Sequence, residues 1–201
     1  MKTLLALALL PVIVGTTGAF AAGDTDAATM KFTLYKFAVS TSKACTNPIT
    51  IFESATGVQK DLLEDPTFGS GTVDAGTYPC VMLEVSKIIN TSGTTACQTP
   101  WDDVICGNGQ LSKEINGSNV TCSGDAGNDQ MVTLFITTAS AGTSGNRSLL
   151  PPDDENDTTA GIKLTNAFVV SANTSGTFKV KKTAFITSGT CSTSAPTFSF
   201  E

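Results

Sequence analysis

From Met30 onward the chain alternates apolar and polar residues with a period of two, the spacing that sends successive side chains to opposite faces of a strand. Met30, Phe32 and Leu34 share one parity, whereas Tyr35, Phe37 and Val39 share the other. A change of parity inside one segment predicts a bulge, or a strand covered on both faces. Pro48 to Glu53 predicts a short returning strand, with Cys45 in the connecting turn. Asp61-Leu62-Leu63-Glu64 leads into turn signals at Asp65-Pro66 and Gly69-Ser70-Gly71, and Asp74-Ala75-Gly76-Thr77 marks another turn. Tyr78 to Ile89 reads as one long strand. Gln130 to Thr138 is apolar on both parities, as a central strand is. Ile162, Leu164, Phe168 and Val170 alternate, as do Phe178, Val180, Ala184 and Ile186, and finally Phe198 and Phe200. No stretch shows a capped 3.6-residue period. The pattern predicts an all-β chain, an antiparallel β-sandwich of about eight strands.

Two segments interrupt the alternation. Residues 90–129 hold three cysteines, Trp101 and many Gly, Asn and Ser residues, and read as a bridge-pinned excursion with short strands at Val104–Cys106 and Asn119–Cys122. Residues 139–160 form a second long connection, with Pro151-Pro152 followed by Asp153-Asp154-Glu155-Asn156-Asp157. Long connections in compact domains often carry function. Any binding activity is expected there.

The N-terminal segment is read apart from the fold. Met1-Lys2 is a positive start, Leu4 to Val14 is apolar apart from Pro11, and Ala19-Phe20-Ala21 fits an A-x-A cleavage pattern. The apolar run is too short to span a bilayer as a helix, which takes about 20 residues. Residues 1–21 are therefore expected to be a secretion signal, and residues 22–201 a single domain. No membrane insertion is expected after cleavage.

Six cysteines, at 45, 80, 97, 106, 122 and 191, all follow that segment. An even number after a signal predicts three disulfides in an oxidising compartment, outside the cell or in a periplasm. Six cysteines allow 15 pairings, and the spacing does not choose among them. Zinc is disfavoured, because no C-x₂₋₄-C pair and no histidine is present. Without Lys2 the chain has 11 basic and 18 acidic groups, hence a net charge near −7, and Arg147 is its only arginine. Such a surface repels phosphate backbones, which argues against nucleic-acid partners.

Phe32-Thr-Leu-Tyr-Lys-Phe-Ala-Val, Lys60-Asp-Leu-Leu and Gly76-Thr-Tyr followed by Val81-Met-Leu-Glu-Val give a partial likeness over residues 32–86. In these motifs the chain resembles an uncharacterised group of exported bacterial β-sandwich proteins. The resemblance implies a sandwich fold and an extracellular or surface location, and it brings no catalytic residues.

Candidate chemistry is sparse. Serine or cysteine catalysis needs a neighbouring base, and histidine is absent. The Ser-Lys neighbours Ser42-Lys43 and Ser86-Lys87 would point to opposite faces of a strand. Paired carboxylates could serve glycoside hydrolysis, yet the acidic residues fall in polar loops where a solvated face is expected. Trp101, beside Asp102 and Asp103, could stack on a sugar, or cover a disulfide in a small core. Calcium is the one cofactor with candidate ligands: Asp153, Asp154, Glu155 and Asp157, and more remotely Asp125, Asn128 and Asp129. Neither set matches the spaced EF-hand loop. Six N-x-[ST] sequons, at Asn90, Asn116, Asn119, Asn146, Asn156 and Asn173, support exposed loops.

The expected function is a non-catalytic extracellular or cell-surface module, structural, adhesive or ligand-binding, whose partner is a surface ligand or other copies of itself. The alternative is a pilus or filament subunit assembled by strand exchange. Its motivation is low charge, abundant Thr, Gly and Ala, the strand-like Phe198-Ser-Phe200-Glu201, and a flexible arm from Ala22 to Thr29.

Overall fold

The computed structural model describes residues 24–64, 73–94, 97–125, 127–142, 147–171, 178–181, 185–187, 191–193 and 197–200. The expected signal, residues 1–21, lies outside them. Fourteen strands occur among the described residues. In chain order they are β1 (Asp24–Ser40), β2 (Ile49–Asp61), β3 (Gly76–Tyr78), β4 (Cys80–Gly93), β5 (Trp101–Val104), β6 (Leu111–Lys113) and β7 (Asn119–Thr121). Then follow β8 (Met131–Thr137), β9 (Ile162–Lys163), β10 (Phe168–Val170), β11 (Phe178–Lys181), β12 (Phe185–Thr187), β13 (Ser192–Thr193) and β14 (Thr197–Phe200). The chain is all-β.

The strand count exceeds the expected eight, because eight strands form one sheet and three two-stranded ribbons accompany it: β3–β10, β6–β7 and β11–β14. The long strands β1 and β4 are the axis of the sheet. Between Lys31 and Val39, β1 pairs with β2 along one edge and with β4 along the other. On the far edge of β4, β8 pairs with Cys80–Ser86 and β5 then pairs with Ile88–Thr91. Asp24–Asp26 of β1 pair with β12, which pairs in turn with β13. Every pairing is antiparallel except that of β8 with β9.

Three sequence expectations change. The arm from Ala22 is not a loose extension, since from Asp24 it is already β1. The strand expected from Tyr78 to Ile89 is cut at Pro79 and runs on to Gly93; proline has no amide hydrogen to give to a ladder. The return strand expected at Pro48–Glu53 continues to Asp61.

The parity change near Tyr35 is a bulge. Register shifts between Leu34 and Lys36 in both ladders: against β4 Tyr35 is the extra residue, whereas against β2 the surplus lies in β2, where Ser54 to Gly57 face Tyr35 alone. Its neighbour β2 accommodates the kink with Gly57 at φ 72°, where a Cβ would lie 2.3 Å from Thr33 Cγ2. Only glycine fits there. A second irregularity lies in β4: Leu34 faces Val85 but Phe32 faces Ile89, so one residue of β1 spans three of β4. Ser86, Lys87 and Ile88 make up this swelling.

Both faces of the sheet are packed. Phe32, Leu34, Val81, Leu83, Val85, Val132, Leu134 and Ile136 belong to the main cluster. Leu62, Leu63, Leu149 and Leu164 close over it, and β3–β10 adds Tyr78 and Phe168, whose ring centroids are 5.9 Å apart. Ala38, Met82 and Phe135, with Ile115 and the Cys45–Cys80 pair, form a smaller cluster from the intervening positions. That explains why the Gln130–Thr138 segment is apolar on both parities. Tyr78 is buried, and its hydroxyl donates to Asp74 O at 2.7 Å.

Candidate functional site

The turn between β1 and β2 is held at many points. Ser40 Oγ donates to Thr46 O inside it. Cys45 and Asn47 adopt left-handed φ values of 58° and 50°. Cys45 bridges to Cys80 at the start of β4. Thr137 Oγ1, at the end of β8, donates to Lys43 O at 2.6 Å. Unusual backbone is kept where surrounding contacts over-determine it, and here they do.

The acidic loop docks onto this turn. Glu155 Oε1 accepts from Ser42 Oγ, and Oε2 accepts from the Lys43 amide at 3.0 Å. Behind it, Arg147 Nη2 donates to Asp153 Oδ2 at 2.8 Å and to Asp157 Oδ2 at 2.9 Å. The Asp153 amide donates to the same Asp157 oxygen at 3.0 Å. Asp157 Oδ1 accepts from the Thr159 hydroxyl at 2.6 Å and from its amide at 2.9 Å. Asp154 Oδ1 accepts from the Asn156 amide at 2.7 Å. Underneath, Leu149 is buried in the main core and anchors the loop to the sheet.

These bonds stabilise the ionised carboxylates. The Thr159 hydroxyl, with the Asp153 and Thr159 amides and the nearby Arg147, lowers the Asp157 pKa to about 2. Hydrogen bonding from Ser42, then from the Lys43 and Ala44 amides, holds Glu155 below its ordinary value. A carboxylate whose pKa is depressed by folding contributes stability above its unfolded pKa, and the contribution vanishes as pH falls through the folded value. For Asp157 that window runs from 3.8 down to about 2. Protection of the amides in residues 147–161, relative to their intrinsic exchange, is therefore expected to fall across that window while β4 and β8 stay protected. Equal protection of the loop at both ends of the window would contradict the role given to these contacts.

The four residues considered as calcium ligands are thus distributed over different tasks. Asp153 and Asp157 converge on Arg147, Glu155 turns to the β1–β2 turn, and Asp154 caps its own loop. No group of three or more acidic or cysteine side chains among the described residues is arranged to hold a metal ion. In the second stretch, Asp125 Oδ1 accepts from the Gly127 amide and Asp129 Oδ1 accepts from Ser86 Oγ at 2.6 Å.

Trp101 opens the edge strand β5, half-buried and opposite Thr91. The indole Nε1 and Thr91 Oγ1 are both buried and make no hydrogen bond. The cysteines pair as Cys45–Cys80, Cys97–Cys191 and Cys106–Cys122, with none free among the described residues. Cys106–Cys122 closes the excursion carrying β6 and β7. Cys97–Cys191 ties the β4–β5 connection to the β12–β13 hairpin.

Two residues escaped the sequence reading. Arg147 entered only as a charge count, although a lone arginine six residues before Asp153 was a usable signal. Lys87 was considered only beside Ser86. The structure instead buries Lys87 completely and places its Nζ 2.7 Å from Ser123 Oγ and 3.3 Å from Gln130 Oε1. No helix among the described residues is long and apolar enough to cross a membrane. Three bridges suit an oxidising compartment. No family model, curated protein or solved structure matches the chain.

Proposed function

We propose that the chain is a non-catalytic extracellular or cell-surface module, structural, adhesive or ligand-binding, whose work is to present a preshaped loop surface. The observation that carries this reading is the use of polar chemistry in the long 139–160 connection. Its arginine and aspartates hold the loop's own shape, and Glu155 fixes it to the β1–β2 turn. A bridge closes the other excursion in the same spirit. Preorganised loops lose little entropy on meeting a partner, which favours recognition. The bridges and the expected signal support export.

The filament alternative draws less support. Strand exchange needs a terminal strand free to enter a neighbour. Here β1 is paired on both edges within its own sheet, so donating it would dismantle the axis of the fold. A tagged protein in its native cell tests both readings. Surface exposure to added protease, dispersed label in negative stain and a monomeric purified form are the expected results. Label on filaments would favour the alternative, and protein confined to the cytosol would overturn both.

A further inference from the structure

Lys87 is the most deeply buried large side chain whose chemistry the preceding description does not use. At 0% exposure it lies in the swelling of β4, where β1 offers no register partner to Lys87. Its Nζ contacts are both uncharged: Ser123 Oγ at 2.7 Å and Gln130 Oε1 at 3.3 Å. No salt bridge reaches it among the described residues. Burying an ammonium without a counter-charge is costly. A covalent step that consumes the amine removes that cost.

Gln130 is arranged as the acceptor. Its Oε1 also accepts from the Ser123 amide at 2.9 Å, a fixed donor where negative charge would develop if the carbonyl were attacked. Its Nε2 donates to Thr121 O at 3.2 Å, which holds the leaving nitrogen away from the lysine. The backbone keeps the two residues in register, since the Lys87 amide donates to Gln130 O at 2.9 Å. The Lys87–Ser123 contact alone would also suit a serine nucleophile with a lysine base. The carboxamide oxygen placed on the same Nζ favours an internal acceptor, and a wholly buried amine can reach no external substrate.

We propose that Lys87 and Gln130 form an intramolecular isopeptide cross-link. Lys87 Nζ attacks Gln130 Cδ, forming the Nζ–Cδ bond. The oxygen of the tetrahedral intermediate is held by the Ser123 amide. A proton leaves Nζ through its contact with Ser123 Oγ, and Nε2 gains one as it turns from Thr121 O. The Cδ–Nε2 bond then breaks and ammonia departs. No oxidant, reductant or co-substrate enters, and Ser123 ends as it began. Proximity supplies the drive, as in other reactions made intramolecular. The bond would clamp β4 to the entry of β8 beside Cys106–Cys122, and reduction would leave it intact.

Tandem mass spectrometry of the full, reduced and alkylated protein after trypsin tests this. Without a cross-link, cleavage follows Lys87, Lys113 and Arg147 and frees the peptide spanning 61–87. With it, cleavage at Lys87 is blocked, and 61–113 remains joined to 114–147 with about 17 Da missing, one ammonia. Gln130→Ala should restore the separate peptides; Lys87→Met, which also removes a cleavage site, should give 61–113 and 114–147 apart at their unmodified masses, and either alone suffices if the other fails to fold. A wild-type digest giving free 61–87 and 114–147 peptides at their unmodified masses would overturn the proposal. A 17 Da loss located at any residue other than Gln130 would do the same.

Discussion

Leu83→Ala is expected to lower the unfolding free energy by about 2–5 kcal/mol, one of the largest single-site losses available in this chain. Leu83 is fully buried at the middle of β4, between Phe37 of β1 and Leu134 of β8 in the ladder. Truncation removes methyl groups from the main cluster and leaves a void. The sheet is bonded on both sides there and cannot collapse into it. Val169→Ala supplies the contrast, since Val169 is 57% exposed and should change stability by less than about 0.5 kcal/mol. Urea unfolding of the oxidised proteins reads both. A loss below about 1 kcal/mol for Leu83→Ala would mean that this face of the sheet is not packed as described.

Removing the Cys97–Cys191 bridge, by alanine at both positions, is the second large effect. The bridge closes a sequence separation of 94 residues, against 16 for Cys106–Cys122. Restriction of the unfolded chain grows with the logarithm of loop length, giving about 4–5 kcal/mol for the long bridge and about 3 kcal/mol for the short one. The first figure is a ceiling, because the Cys106–Cys122 bridge, which lies inside that loop, already shortens it in the unfolded chain. The loss should also be local in character. Cys191 lies just before β13, and β12 beside it supplies the partner strand for Asp24–Asp26. Amide exchange is therefore expected to rise first at the start of β1 and in β12, ahead of β4 and β8. Uniform loosening of the whole sheet, or an unchanged melting temperature, would contradict this account.

The legible part of the fold was the part that buries apolar side chains. The parity change at Tyr35 announced a bulge because Phe32 and Leu34 on one side of it, and Phe37 and Val39 on the other, all enter the core. The doubled apolar pattern of Val132 to Ile136 announced a central strand, and both of its faces are covered. The extension of β2 past Glu53 was not legible. Ser54, Ala55, Thr56 and Gly57 lie on an edge strand with little burial and fall in the gap of its register with β1, so no alternation marks them. The start of β1 was missed for the same reason: Asp24-Thr-Asp26 carries no apolar signal. Disulfide pairing depended on which strands became neighbours, and the order β13-β12-β1-β4 is a tertiary outcome.

The candidate site divided along a similar line. The acidic run 153–157 stood out by composition, but the partners of Glu155, Ser42 and Lys43, lie far away in sequence. A charge run reads as solvated when its counter-groups are not adjacent to it. Lys87 was hidden differently, since lysine beside a strand of Val, Ile and Leu ordinarily reaches solvent with its head. Only the local swelling of β4 and the neighbouring Ser123 and Gln130 turn it inward.

The pairing of Asp24 with Thr187 has a bearing on how the molecule matures. Segments far apart in the chain must find each other before that corner of the sheet closes, and such distant pairings make folding slow. Until they meet, the leading strand stays open to unwanted partners, so misassembly would begin at this seam.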